Sequence, residues 1–221
     1  MRVLAASDLH GDHEIYRWLV QAAHDLRPDA VVLAGDLLGY PEGHNSVEEA
    51  QRADAARILA ILDGVAEPVF YIMGNDDMIE LDPKTAGIRS IQGRRVELDD
   101  FNFVGYQYSL PFMAGVYEKP EEDIHEDLAA LDPLVDQRTV LVTHSPAYGV
   151  LDIGAMGAHA GSAAIKDLID RRRPLVHIHG HIHEEFGRRG RHFNAASAGR
   201  RRAVLIELPG LDHEVVGYHA V

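Results

Sequence analysis

Cysteine is absent from the 221-residue chain. No disulfide and no thiolate ligand can therefore enter its chemistry, and any metal has to be held by imidazole, carboxylate, amide or solvent oxygen. Basic residues are scarce beside acidic ones, with 21 Lys and Arg against 35 Asp and Glu, a formal net charge of −14. That balance argues against avid binding to nucleic acid or to anionic membranes. An extended basic run interleaved with aromatics, as a nuclease would use, is also missing. Long apolar runs are lacking too. The one at the N-terminus, within MRVLAASDLH, is too short for a signal peptide, and no other approaches membrane-spanning length. The expectation is a cytoplasmic protein without a membrane partner.

Hydrophobic residues make up 46% and charged residues 25%, the proportions of an ordinary globular protein. The length suits one domain spanning 1–221 and is enough to bury a sizeable core. Acidic charge is concentrated in residues 1–160, which hold 11 basic and 28 acidic side chains. Part of that charge is available as metal ligand, which bound cations would offset. The triplets Arg171–Arg173 and Arg200–Arg202 read as solvated element ends. Histidine is plentiful, at 14 residues, and four alternate within VHIHGHIHEE: His177, His179, His181 and His183.

Short runs rich in Val, Ile and Leu recur at Val3–Ala6, Ala30–Ala34, Val69–Met73, Val140–Thr143, Leu175–Ile178 and Ala203–Leu208. Each has the length of a buried strand. Helical periodicity separates several of them, at Glu14–Leu26, Val47–Leu62, Glu121–Leu131 and Ser162–Arg172. This alternation implies an α/β fold. Arg95–Tyr106 and Phe193–Tyr218 instead read as consecutive strands joined by short turns, which suggests two mixed β-sheets packed face to face with helices outside. Residues 107–120 and 145–161 lack periodicity and are expected to be loops rimming a site.

Five of these strands end in side chains that can bind metal. Asp8 and His10 follow the first and Asp36 the second; Asn75, Asp76 and Asp77 follow the third, His144 the Val140 run, and Gly180-His181-Ile182-His183 the last. Taken singly, each is ordinary turn or capping chemistry. Taken together, the carboxyl ends of α/β strands are where ligands gather, and Asp8, His10, Asp36, Asn75, His144, His181 and His183 would meet there. Seven ligands exceed the roughly four of a single zinc-like ion and suit two ions. All-N/O ligation favours Mn, Fe, Zn or Co.

In order, Asp8-Leu9-His10, Gly35-Asp36, Gly74-Asn75-Asp76-Asp77, His144 and Gly180-His181-Ile182-His183 resemble the motifs of the calcineurin-like metallophosphoesterase family. The resemblance implies a four-layer αββα sandwich. It also implies that Asp8, His10 and His183 hold one divalent metal, that Asn75, His144 and His181 hold the other, and that Asp36 bridges them. Manganese is the first expectation. The implied reaction is hydrolysis of a small, nucleotide-like or other phosphate ester by a hydroxide that the two metals activate, most readily as a phosphodiesterase. Asn75, Asp76 and His144 are the expected catalytic residues. Asn75 is expected to contact the substrate; Gly161 and Ser162, at a helix start, either present backbone amides to it or, for Ser162, merely cap the helix. His177 and His179, inside the strand, are expected to be packed or to support the ligands.

One position departs from the commoner family pattern: Asp76 stands where a histidine usually follows Gly-Asn. An ionised carboxylate cannot donate a proton, so acid assistance is expected to be weak. This departure keeps open the alternative of a metal-stabilised binding scaffold with little turnover. A homo-oligomer is compatible with either reading.

Overall fold

Strand β2 (Ala30–Ala34) is buried at all five positions, as an unbroken apolar run requires of a strand covered on both faces. The computed structural model describes residues 1–217. Among these, the chain runs β1 (Arg2–Ala6), α1 (His13–Leu26), β2, α2 (Val47–Leu62), β3 (Val69–Ile72), β4 (Ile88–Ser90), β5 (Arg95–Leu98), β6 (Phe101–Tyr106), α3 (Glu121–Leu131), β7 (Thr139–Thr143), α4 (Ala163–Arg172), β8 (Val176–His179), β9 (Gly187–Arg189), β10 (His192–Asn194), β11 (Arg202–Glu207) and β12 (Asp212–Gly217). One-turn 3₁₀ helices occur at Asp132–Leu134 and His183–Glu185.

Two six-stranded mixed sheets result, in the orders β12-β11-β1-β2-β3-β4 and β5-β6-β7-β8-β10-β9. In the first, β1 to β4 run parallel, β11 pairs antiparallel with β1, and β12 antiparallel with β11; in the second, β6, β7, β8 and β10 are parallel and the edges β5 and β9 antiparallel. Strand alternation builds the layers. Along β1, Val3 and Ala5 join Val32, Phe70, Phe103, Val142, Ile178 and Phe193 between the sheets. Leu4 and Ala6 turn outward to meet Ile15, Leu19, Ile58 and Leu62 of α1 and α2. On the far side, Leu141 packs with Ile124 and Leu128 of α3 and Ile165 and Leu168 of α4. The α/β expectation of two mixed sheets flanked by helices holds, as an αββα sandwich.

Local sequence sets the helix ends. Asp12 caps α1 by accepting from the Glu14 and Ile15 amides at 3.0 and 3.2 Å, and Ser46 and Ser162 cap α2 and α4 in the same way. The Phe193–Tyr218 expectation needs revision. β10 pairs with β8 in the second sheet, and the chain then crosses to the first for β11 and β12; Tyr218 lies outside the described residues. The edge strands β4 and β9, three residues each, bury too little apolar surface to announce themselves in the pattern.

The crossing places β1, β2 and β3 of one sheet against β7 and β8 of the other, so their carboxyl ends converge. Backbone bonds tie these ends together: Asp8 N–H to Gly35 O at 2.9 Å, His10 N–H to Asp36 O at 3.0 Å and Gly180 N–H to His144 O at 3.2 Å. No helix among the described residues is long and apolar enough to cross a membrane.

Candidate metal centre

At this junction two groups of donors face inward. Asp8, His10 and His183 form one; Asp8, Asp36 and His144 form the other, with all ligand atoms of each group within 4.8 Å of one another. Asp8 is shared. Tight turns deliver these side chains. Asp8, His10, Asp36 and His181 all adopt positive φ, between 44° and 68°, a strain of about 1–3 kcal/mol each that is typical of functional sites. Close packing makes two glycines necessary. A Cβ on Gly180 would fall 1.9 Å from Ser7 Oγ and 2.3 Å from Asp8 Oδ2; one on Gly74 would fall 2.3 Å from Asp36 Oδ1.

Hydrogen bonding assigns the tautomers. His144 Nδ1 lies 2.9 Å from the Ala34 carbonyl, which only accepts, so Nδ1 carries the proton. His144 Nε2 then points its lone pair at Asn75 Oδ1, 2.9 Å away, and at Asp36 Oδ1, 3.3 Å away. In the same way, His10 Nδ1 meets Asp76 Oδ2 at 3.1 Å, which leaves its Nε2 lone pair 3.4 Å from His183 Nε2. His183 Nε2 is 3.1 Å from Asp8 Oδ1. Facing acceptors at these distances repel unless a proton or a cation lies between them. Without a cation the proton wins: burial opposes protonation of His144, but the charge and hydrogen bond of Asp36 and the charge of Asp8 raise it to about 10. His10 behaves likewise, burial being overcome by the Asp76 bond and the charges of Asp36 and Asp8, and rises to about 9. Burial also opposes ionisation of Asp8, yet the His183 bond and the charge of His144 hold its carboxyl well below the usual range. The donor set is hard, all nitrogen and oxygen, and converging, so it fits divalent cations.

The expected ligands are not all equivalent. Asn75 joins through its contact with His144. His181 stands outside both three-residue groups. Its ring lies edge-on to His144, centroids 5.1 Å apart, and its backbone amide donates to both Asp8 oxygens at 3.1 and 3.0 Å. Burial, reinforced by the charge of His144, lowers it to about 4, so its ring is neutral near pH 7. His177 and His179 are fully buried and bond elsewhere: His177 to Thr143 Oγ1 at 2.7 Å and to His192 at 3.0 Å, His179 to the Gly180 carbonyl at 3.3 Å.

Of the two readings of Gly161 and Ser162, the helix cap fits the structure and the substrate contact, expected of both, does not. Both are buried, and their donors are already occupied. Gly161 N–H donates to Asp152 Oδ2 at 3.3 Å and Ser162 N–H to the Pro146 carbonyl at 3.0 Å. The Ser162 hydroxyl caps Ile165 and donates to Glu121 Oε1 at 2.8 Å. Two carboxylates thus stand where an anion was expected.

Sequence reasoning missed three supports. Asp77, fully buried, accepts from the amides of Leu37, Leu38 and Gly74 at 2.8–3.2 Å, fastening the β2 turn to the β3 turn. Its burial and the charge of Asp36 raise it to about 7. The Tyr40 hydroxyl lies 2.6 Å from both the carbonyl and Oδ1 of Asp76. Gln51, on a buried polar face of α2, accepts from Met78 N–H at 2.6 Å and donates to the Asp76 carbonyl at 2.9 Å. Only Asp77 left a signal, as the second carboxylate of Gly-Asn-Asp-Asp. A separate cavity of about 530 Å³, lined by Tyr71, Glu80, Arg89 and Arg94 among others, contains none of the metal donors.

Comparison with known proteins places the chain in a family. The chain is similar to a UPF0046 protein of Caenorhabditis elegans, K07C11.7, at 27% identity over 162 residues, covering 71% of this chain and 46% of that protein. It thus spans about half the length of that curated relative. Among solved structures it is similar to TT1561 of Thermus thermophilus, at 20% identity and TM-score 0.75, covering 98% of each chain. It is also similar to a dimetal phosphatase from Danio rerio, at 14% identity and TM-score 0.66, covering 99% of each. These two likenesses concern the fold. The model of the calcineurin-like phosphoesterases matches residues 1–185, a span that holds all seven expected ligands, and the chain belongs to that family.

Proposed function

We propose that the chain is a binuclear metal-dependent phosphoesterase that acts as a phosphodiesterase on a small phosphate ester such as a nucleotide-like one. The reading rests chiefly on one observation: ligand atoms of His144, Asn75 and Asp36, and of His10, His183 and Asp8, converge with contacts of 2.9–3.4 Å. Asp8, His10 and His183 would hold one cation and His144 and Asn75 the other, with Asp36 between them and His181 completing the second set after a ring movement. Divalent cations bound there supply Lewis-acid polarisation of phosphoryl oxygens and bring the pKa of water towards ~7. Manganese is the metal to test first.

The chain's own groups do the orienting. Asn75 presents Oδ1 to His144, which leaves its Nδ2 hydrogens to donate to a phosphoryl oxygen. Asp76 carries no proton to give near neutrality: burial opposes its ionisation, but the bonds from His10 and Tyr40 outweigh burial and hold it below the usual carboxylate range. Both its oxygens are engaged, so Asp76 acts as a positioning residue for His10 rather than as a general acid. The leaving oxygen then takes its proton from solvent.

The direct test is hydrolysis of bis-(p-nitrophenyl) phosphate by protein reconstituted with Mn²⁺. Turnover that is lost on chelation and in Asp36→Asn is expected. Metal binding with no turnover on any of a panel of aryl and nucleotide esters would instead favour the scaffold reading.

A further inference from the structure

Residues 110–117, LPFMAGVY, contain no charged side chain, yet Phe112, Met113 and Val116 are 73%, 63% and 56% exposed. Single exposed apolar residues are normal; three within five positions beside a polar centre call for a reason. The segment is held in place. Glu118 accepts from the Phe112 and Met113 amides at 2.8 Å each. Ser109 and Lys119 close its base, Ser109 N–H donating to Tyr117 O at 3.0 Å and Lys119 N–H to Ser109 O at 2.9 Å. Gly115 sits so close to the metal centre that a Cβ there would fall 2.4 Å from the Asn75 carbonyl. The Phe112 ring stands edge-on to His181, centroids 6.3 Å apart and planes at 88°.

An apolar lip is therefore fixed at the mouth of the donor cluster, with its backbone satisfied by Glu118 and its side chains left to solvent. The cluster itself offers only polar atoms, suited to the phosphoryl group. We infer that Phe112, flanked by Met113, is the subsite for the organic group of the phosphoester, and that it selects aromatic or flat apolar groups, such as a phenyl ring or a nucleobase, over small alkyl ones. An aromatic ring gains from stacking geometry and from the large area it covers, while methionine adapts its shape to the neighbour. This inference rests on the phosphoester reading of the metal centre.

The experiment compares two non-hydrolysable ligands, phenylphosphonate and methylphosphonate, by calorimetric titration of the Mn²⁺-loaded full chain, in wild type and Phe112→Ala. Phe112 is exposed, so its truncation opens no core cavity. Wild type is expected to bind phenylphosphonate about tenfold more tightly than methylphosphonate, and the ratio is expected to fall to within about twofold in Phe112→Ala. A wild-type ratio near one, or a tenfold ratio that survives the substitution, overturns the subsite. If neither phosphonate binds the metal-loaded protein, the phosphoester reading itself fails and the subsite with it.

Discussion

Asp76 holds His10 by the nitrogen that faces away from the donor cluster: Asp76 Oδ2 lies 3.1 Å from His10 Nδ1. A carboxylate in that place fixes the ring's tautomer and strengthens the opposite nitrogen as a ligand, and losing such a partner typically costs 10–100-fold in metal affinity. Asp76→Ala is therefore expected to weaken binding of one of two Mn²⁺ ions by about 10–100-fold, read by calorimetric titration. Tyr40→Phe, which removes the hydroxyl 2.6 Å from the Asp76 carbonyl and Oδ1 but leaves the carboxylate on His10, should weaken it less. Wild-type affinity in both variants would show that Asp76 does not position His10.

The same carboxylate sets an expectation for chemistry. With no proton to donate, the native protein should depend steeply on leaving-group pKa, turning over nitrophenyl esters readily and alkyl esters slowly. Asp76→His introduces a side chain able to hold a proton near neutrality and should flatten that dependence, at some cost in metal affinity. Rates over a series of substituted phenyl esters decide it; equal slopes in the two proteins would return the acid step to another group.

Most of the secondary structure was legible because apolar periodicity is local: Ala30–Ala34, Val47–Leu62 and Glu121–Leu131 are found where the pattern puts them. The crossing from β10 in one sheet to β11 in the other was not, because pairing partners lie far apart in sequence. The site divides similarly. Asp8, His10, Asp36, His144 and His183 were legible because each follows a strand, and strand ends converge in this architecture. Tyr40 carried no signal, since its role comes from a partner 36 residues away. Gly161 and Ser162 were legible as a cap but misleading as an anion site, because the acceptors that fill it, Asp152 and Glu121, come from elsewhere in the chain.

The buried histidines outside the metal cluster predict acid sensitivity. Burial, with neighbouring histidine charge, holds His177 well below its ordinary value; burial lowers His179 to about 3, and burial with the charge of Arg191 lowers His192 to about 4. These rings are neutral when folded and protonate near 6.5 when unfolded. Their contribution to stability is fully present above pH 6.5 and is lost as pH falls from 6.5 towards about 4 and below. His179 Nε2 is buried without a hydrogen-bond partner, so His179→Leu removes a titrating group at the loss of one hydrogen bond, the 3.3 Å contact to the Gly180 carbonyl, and of the ring stacking on His177. The variant should lose less stability than wild type between about pH 7.5 and pH 5, measured by thermal unfolding of metal-free protein at both values. An unchanged pH dependence would place the acid sensitivity elsewhere.

Gly180 separates the packed histidines of β8 from those at the metal centre, and it does so by space rather than by backbone freedom, since its φ is not positive. A methyl group there meets Ser7 Oγ at 1.9 Å and Asp8 Oδ2 at 2.3 Å. Neither neighbour can yield freely. Ser7 Oγ donates to the Ala34 carbonyl at 2.9 Å, and Asp8 is fully buried and held by the His181 amide. Gly180→Ala is accordingly expected to cost about 1–3 kcal/mol, the usual penalty of overpacking, and to displace the carboxylate shared by both donor groups. Gly87→Ala, where nothing lies within 4 Å of the added carbon, provides the reference and should be close to neutral. Thermal unfolding and Mn²⁺ stoichiometry measured on both variants separate the effects. A Gly180→Ala protein with the stability of Gly87→Ala but a lost metal ion would mean that Asp8 moves easily. One with full metal loading and full stability would mean that Ser7, not Asp8, gives way, and that the shared carboxylate does not depend on Gly180.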